Sequence, residues 1–334
     1  MSGRRFPVDT ALYFPHMRLP RSAWLMQVLL YWDRAATIVP EYELDDPIAG
    51  DPFMRDLRSV GLLIPVSPDR QHVAHESFVD GFLALVDAQG SHESHTTVRI
   101  HADKMGYPLF RQLQDRGLAE VPDFKWWLVE QSTALLYMAY LASAISAANP
   151  GMIPVTDTSA SMETLGAGAR TRERVDALRY AVITRALPVP AQPVSARDLA
   201  AFKERHADAL NRCRRFLDNR LVDVAKIDDL DEREVRLAAF SQEISDDVAR
   251  LVDAMKRKQW PRVTLGAFGG VVAPGLQLAQ TIVGGATALE MGLAAGAAAL
   301  EIGATAYAMG SLRNDRFDGQ APLAYAALTT RFDG

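Results

Sequence analysis

From Val263 to Leu312 the chain runs for fifty residues with only two charged side chains, Glu290 and Glu301. Basic residues bracket the run, with Lys256, Arg257, Lys258 and Arg262 before it and Arg313 and Arg316 after it. Ten glycines and thirteen alanines fall inside it, and small residues three or four apart, such as Gly292 and Gly296, let helices approach closely. Val263 to Gly285 is 23 residues without a charge, and about 20 can cross a bilayer. Gly284-Gly285 reads as a turn into a second apolar stretch. Basic flanks at both outer ends, with none at the tip, match a hairpin whose two ends face the cytoplasm.

Magnitudes divide the two halves of this hairpin. Each Leu, Ile, Phe or Val favours insertion by about 0.3 to 0.6 kcal/mol, and a central charge costs roughly 3 kcal/mol. The first stretch has nine such residues and no charge, so it inserts marginally despite Pro274 and two glutamines. Leu289, Leu293, Leu300 and Ile302 of the second are worth about 2 kcal/mol together, against its two glutamates. Eleven residues separate those acids, which puts Glu290 and Glu301 within about 20° of one helix face. Such a face suits a lumen lining, a subunit contact or the wet side of a soluble helix. The run therefore reads either as an Ala/Gly-rich helix pair inside a bundle or as a hairpin that enters a membrane on a trigger or on oligomerisation.

The other periodic signal precedes it. Ser195 with Asp198 forms a helix-starting box. Leu199, Phe202, Leu210, Cys213, Leu217, Leu221 and Val224 then recur at helical spacing, with His206 filling one slot. Beyond Asp228-Asp229, the residues Leu237, Phe240, Ile244, Val248, Leu251 and Met255 make a second stripe, spaced three and four apart. Two stripes joined by a short acidic loop predict a long amphipathic helical hairpin or coiled coil. Cys213 on that seam reads as packing.

The first 187 residues mix short extended runs with helices. Thr10–Arg18 reads as a strand weakened by Pro15, and Ser22 starts a helix through Trp24, Leu25, Val28, Leu29 and Trp32. Phe53–Leu62 and Leu109–Leu118 echo one another: each is a short helix ending in glycine, then a leucine able to pack back on the last turn. This is either a common helix stop used twice or a duplicated helix–strand unit. Trp126–Ala148, apolar nearly all round, predicts a buried core helix. Pro188-Val-Pro-Ala-Gln-Pro193 is a stiff connector. The expected organisation is mainly α. It has a mixed α+β N-terminal domain over 1–187, a Pro-rich connector over 188–194 and a helical domain over 195–334. In the last, the amphipathic hairpin precedes the Gly/Ala-rich apolar one at 263–312.

Chemistry is harder to find. The net charge of −5 and the lack of a Lys/Arg-rich recognition helix argue against nucleic acid. A single cysteine excludes an internal disulfide and a Cys-rich zinc site. Met1–Asp9 has no apolar run of signal-peptide length, so a cytoplasmic location is expected, with contact at the inner membrane face through the basic flanks. Five of the seven histidines lie between His72 and His101. Among them His92, His95 and His101 could share a metal, although a polar loop of solvated histidines explains them equally well. Thr156 and Asp157 offer a hydroxyl and an acceptor to a ligand, or stabilise a turn. Gly266-Ala-Phe-Gly269-Gly270 lacks the phosphate-loop lysine. No cofactor is called for.

Four segments, Ala11–His16, Arg99–Lys104, Tyr137–Ala142 leading to Pro154–Asp157, and Leu187–Pro190, resemble a family of uncharacterised bacterial proteins known by a domain-of-unknown-function label. The resemblance implies no established activity, cofactor or catalytic residue. The resulting expectation is a non-enzymatic cytoplasmic protein that meets acidic lipid through Arg257, Lys258 and Arg262 and assembles around Glu290, Glu301, Gly292 and Gly296. A soluble scaffold with a protein partner or a homo-oligomer is the alternative. A metal- or small-ligand-dependent enzyme is the third reading.

Overall fold

Four short parallel strands organise the N-terminal part of the chain: β1 (Thr10–Tyr13), β2 (Arg34–Ile38), β3 (Leu63–Val66) and, from much later in the sequence, β7 (Met152–Val155). A computed structural model describes residues 9–44, 51–90, 96–121, 123, 125–157, 171–190, 194–256 and 319–330. The strand order is β3-β2-β1-β7, with Tyr13 opposite Thr37 on one side and Val155 on the other. All of β1 and most of β2 are buried, as in parallel strands covered on both faces. Pro65 and Pro154 lie in β3 and β7, the two edge strands, where a missing N–H breaks no ladder.

The chain forms two compact units, one from Met1–Arg21 with Trp32–Gly168 and the other from Ser22–Tyr31 with Ala169–Gly334. In the first, helices α2 (Pro52–Ser59), α3 (Arg70–Ala74), α4 (Glu76–Gln89), α5 (Tyr107–Asp115) and α6 (Gln131–Ala148) accompany the parallel sheet. A second, antiparallel sheet has the order β4-β6-β5, from β4 (Thr97–His101), β5 (Ala119–Glu120) and β6 (Trp126–Glu130). The core is aromatic-rich. Phe82 meets Tyr137 edge-on at 5.2 Å, and Phe110 stacks on Trp127 at 4.1 Å.

The paired helix stops form as the sequence predicts. Gly61 and Gly117 adopt φ of 75° and 73°, and the next residues, Leu62 and Leu118, donate to the carbonyls of Leu57 and Leu113 at 2.9 and 2.8 Å. A strand follows each stop, but β3 joins the parallel sheet and β5 the antiparallel one.

One predicted element is corrected. Trp126–Ala148 is not a single helix: Trp126–Glu130 is a strand between β4 and β5, and the helix starts at Gln131. Glu130 makes the switch by accepting from the backbone N–H groups of Ser132 and Thr133 and from both hydroxyls. Burial alone would raise its carboxyl pKa, yet these bonds hold it below the ordinary value.

The second unit is helical: α1 (Ala23–Tyr31), α7 (Thr171–Ala186), α8 (Ala196–Arg205), α9 (Ala207–Ala225), α10 (Leu230–Lys256) and α11 (Ala324–Thr329). The predicted stripes are real, with Leu210, Cys213, Leu217 and Leu221 buried on α9 and Leu237, Phe240, Ile244 and Val248 on α10. Burial pushes the Cys213 thiol up to about 12, as fits an inert packing residue. Both long helices lie more extensively against α7 than against each other, which is a bundle rather than a two-helix coiled coil. The expected long helix from Ser195 breaks at His206, whose ring packs on Phe202 at 4.7 Å.

Two features of this unit depart from the expected domains. The units divide at Gly168/Ala169, ahead of the prolines, because α7 belongs with the helical bundle and Leu187, Pro188 and Val189 are buried. Helix α1, far upstream, also belongs here. Its last carbonyls, normally orphaned at a helix end, are met by Lys203 Nζ at Leu29 (2.6 Å), Tyr325 Oη at Leu30 (2.8 Å) and Arg214 Nε at Tyr31 (2.8 Å). Two of these donors are cations at the negative end of the helix dipole. Gln27 and Tyr31 hold the connector in turn, through the carbonyls of Leu187 (2.9 Å) and Pro188 (3.1 Å). Among the described residues no helix is long and apolar enough to cross a membrane. The predicted apolar hairpin at 263–312 lies outside the described residues, as do Arg257, Lys258, Arg262, Glu290, Gly292, Gly296 and Glu301.

Candidate functional site

In an open parallel sheet, side chains are most free to serve a ligand at the carboxyl ends of the strands. The best place is where the strand order reverses direction. Here that reversal falls at β1, since β2 and β3 extend the sheet one way and β7 the other. The residues leaving β1 and β7 at that point are Tyr13, Phe14, Thr156 and Asp157. Tyr13 is buried and donates its hydroxyl to Asp157 Oδ1 at 3.0 Å, while the Phe14 N–H donates to the Val155 carbonyl at 3.2 Å. Thr156 is buried and Asp157 exposed, so the carboxylate is anchored on one oxygen and turned toward solvent.

The same sheet edge carries a second group. A 3₁₀ turn, Glu41–Glu43, follows the carboxyl end of β2, and α3 follows that of β3. Arg70, first in α3, bonds Glu41 at 2.9 Å and Asp103 at 3.0 Å, which ties both to the 3₁₀ turn Ala102–Lys104 after β4. His101, the last residue of β4, is 5% exposed, with its ring against Trp126 (5.0 Å) and Tyr42 (5.3 Å). Its Nδ1 accepts the Asp103 backbone N–H at 3.1 Å, which leaves the ring proton on Nε2. That Nε2 is buried and meets no hydrogen-bond partner among the described residues. Burial pushes the imidazole below its ordinary pKa against the opposing field of Asp103, so it is neutral at pH 7.

Lys104 is 4% exposed. Its carbonyl accepts the buried Tyr137 hydroxyl at 2.5 Å, which fixes the turn from behind. Burial brings its ammonium down to about 7, with Glu43 opposing. No described residue forms a hydrogen bond or ion pair with its Nζ.

Of the residues singled out in the sequence, Thr156 and Asp157 stand at the strand-order reversal and His101 stands at the second group. His92 and His95 lie outside the described residues. Among the described residues no three His, Cys, Asp or Glu side chains gather to hold a metal, and Asp103 lies 3.7 Å from His101. Lys104, Glu43 and Tyr13 escaped sequence reasoning. No family model, curated protein or solved structure matches the chain. The geometry of the sheet edge is therefore the only guide to chemistry. Asp157 offers an acceptor for hydroxyl or amine donors, and His101 offers a buried imidazole N–H.

Proposed function

We propose that the sheet-containing unit binds a small polyhydroxylated molecule, such as a nucleoside or a sugar, at the carboxyl ends of β1 and β7. The observation that carries this reading is the Tyr13–Asp157 pair at the point where the strand order reverses. One carboxylate oxygen accepts the hydrogen bond of the tyrosine hydroxyl, which aims the group and leaves lone pairs for ligand hydroxyls. The link from sheet edge to ligand is an analogy at the level of fold. The segment after β1, Phe14-Pro-His-Met-Arg18, has no glycines to cradle a phosphate, so the ligand class is uncharged. Thermal unfolding of the full chain with a panel of nucleosides and free sugars tests it. A binder present at about 100 times its Kd adds about 2.7 kcal/mol of stability. At least one class should raise Tm in the natural chain and not in Asp157→Asn. No shift from any compound, or equal shifts in both proteins, would overturn the reading.

A second reading rests on the sequence of 263–312. On this reading the apolar hairpin becomes exposed on a trigger or on assembly and meets the inner face of an acidic membrane. Arg257, Lys258 and Arg262 would each contribute about 1 kcal/mol of headgroup attraction. Co-flotation with liposomes and dye release, for the full chain and a version lacking only residues 263–312, tests it. Flotation and leakage confined to the full chain would support it. If neither version floats, the hairpin is a helical core or a subunit contact, and the protein is a scaffold or oligomer at that end.

A further inference from the structure

A buried imidazole at the end of β4 makes a structural bond that one added proton removes. His101 is 5% exposed, and its Nδ1 lone pair accepts the Asp103 backbone N–H at 3.1 Å. That bond starts the 3₁₀ turn Ala102–Lys104, as a side-chain acceptor starts a helix. The ring also packs against Trp126 and against Tyr42, which stands on the turn Glu41–Glu43. One imidazole therefore joins two turns. Outside it, Arg70 ties Glu41 to Asp103, through a guanidinium and a Glu41 carboxylate that are both well exposed and so hold weakly.

The neutral ring fits this place and the charged ring does not. A second proton goes to Nδ1, where it takes the lone pair that the Asp103 N–H uses and sets two donors against each other. At the far side of the ring the Nε2–H is buried and meets no acceptor among the described residues, so the cation gains no bond there. The charged groups facing the ring are Asp103 and Lys104 on its own turn, Glu43 on the turn that carries Tyr42, and Lys125 just ahead of β6. Asp103, with one carboxylate oxygen 3.7 Å from Nδ1, favours the cation together with Glu43, and the two lysines oppose it. The other Asp103 oxygen is held by Arg70. Burial decides the balance and keeps the imidazole below its ordinary pKa.

We propose that His101 is an acid-sensitive latch: protonation of its ring releases the turn Ala102–Lys104 and, through Tyr42, the turn Glu41–Glu43. Once released, the imidazole titrates as a free histidine does, near about 6.5. The closed form therefore holds its full advantage above that value and loses it as pH falls toward the lower, folded one. Each pH unit between the two values shifts the equilibrium toward the open form by up to about tenfold. The turn Glu41–Glu43 follows the carboxyl end of β2, so acid alters one edge of the parallel sheet and leaves its strands paired. The latch needs no ligand, and its test stands apart from the Asp157 reading.

Two measurements on the full chain test the latch. Nitrogen-15 NMR of labelled histidine side chains, with His101→Asn supplying the assignment, should show the Nε2–H tautomer at pH 7.5 and a midpoint below about 6.5. Hydrogen exchange read by mass spectrometry follows peptides spanning 40–44 and 99–105, each rate being referred to the unfolded chain at the same pH. Their protection, relative to that of β1, should fall at least about threefold between pH 7.5 and pH 5. In His101→Asn, whose side-chain oxygen accepts the Asp103 N–H without titrating, that fall should vanish. The tautomer, the midpoint and the pH dependence are read on the natural chain, so they decide the matter whether or not the variant folds. An Nδ1–H tautomer, a midpoint at or above the free-histidine value, protection that holds at pH 5, or an equal fall in His101→Asn would each overturn the proposal.

Discussion

Lys203 and Lys104 are both buried lysines, one in each unit, and they are treated in opposite ways. In the helical unit Lys203 Nζ donates at 2.6 Å to the Leu29 carbonyl at the end of α1. Arg214 does the same for Tyr31, and the buried Arg179 meets Asp218 at 3.1 Å. Each cation answers a backbone or carboxylate need of the bundle. In the sheet unit Lys104 is buried as deeply and answers none among the described residues. Burial of charge alone therefore says little about function. What separates the two lysines is whether the described fold supplies the ammonium with a partner.

The sharpest way to break this comparison is to replace both lysines by methionine, which keeps most of the volume. Lys203→Met should destabilise the helical unit by about 3 kcal/mol, since it leaves a buried helix-end carbonyl unpaired. Lys104→Met should instead stabilise the sheet unit by about 2 kcal/mol at pH 6, where the folded chain carries the cost of a desolvated ammonium. Urea unfolding of the two variants checks both signs, and a loss of stability in both would dissolve the contrast.

The pH dependence sharpens the same point. Between about 7 and the unfolded value of 10.5, the unfolded chain binds a proton on Lys104 that the folded chain has released. Stability from this group therefore rises with pH through that window. The gap between Lys104→Met and the natural chain should close as pH rises from 7 to 10, which chemical unfolding at several pH values measures. Tyr137→Phe should cost about 1 to 2 kcal/mol, because it leaves the buried Lys104 carbonyl without its donor. Smallest of the set, Gly61→Ala and Gly117→Ala should each cost about 1 kcal/mol, because an L residue pays for positive φ at both helix stops. Equal costs would show that the two stops are mechanically equivalent although their strands join different sheets.

Local rules made much of the helical bundle legible in the sequence. The Ser195–Asp198 start and the stripes along α9 and α10 follow from interactions between residues a few positions apart, as do the Gly61 and Gly117 stops of the sheet unit. The membership of α1 in the bundle was not legible, because its carbonyls are capped by Lys203, Arg214 and Tyr325, more than 170 positions away. The strand at Trp126–Glu130 was hidden by its apolar continuity with α6, where no periodicity marks the change. A carboxylate followed by Ser132 and Thr133 was the available signal. The site was half legible. Asp157 and His101 stood out by residue type, but Lys104 looks like any surface lysine until β4, α6 and the turns after β2 and β3 close around it. Sequence pattern reports periodicity and caps, while depth of burial at a turn depends on which distant segments arrive there.

The most direct measurement is the titration of individual lysines in the full chain, by NMR of ¹³C-labelled side chains with Lys104→Met supplying the assignment. The account predicts one resonance, missing in that variant, with a midpoint of about 7. A Lys104 resonance that titrates with the surface lysines, near about 10.4, would contradict it. The amine would then be solvated and charged at neutral pH, and the two buried lysines would differ in nothing that bears on chemistry.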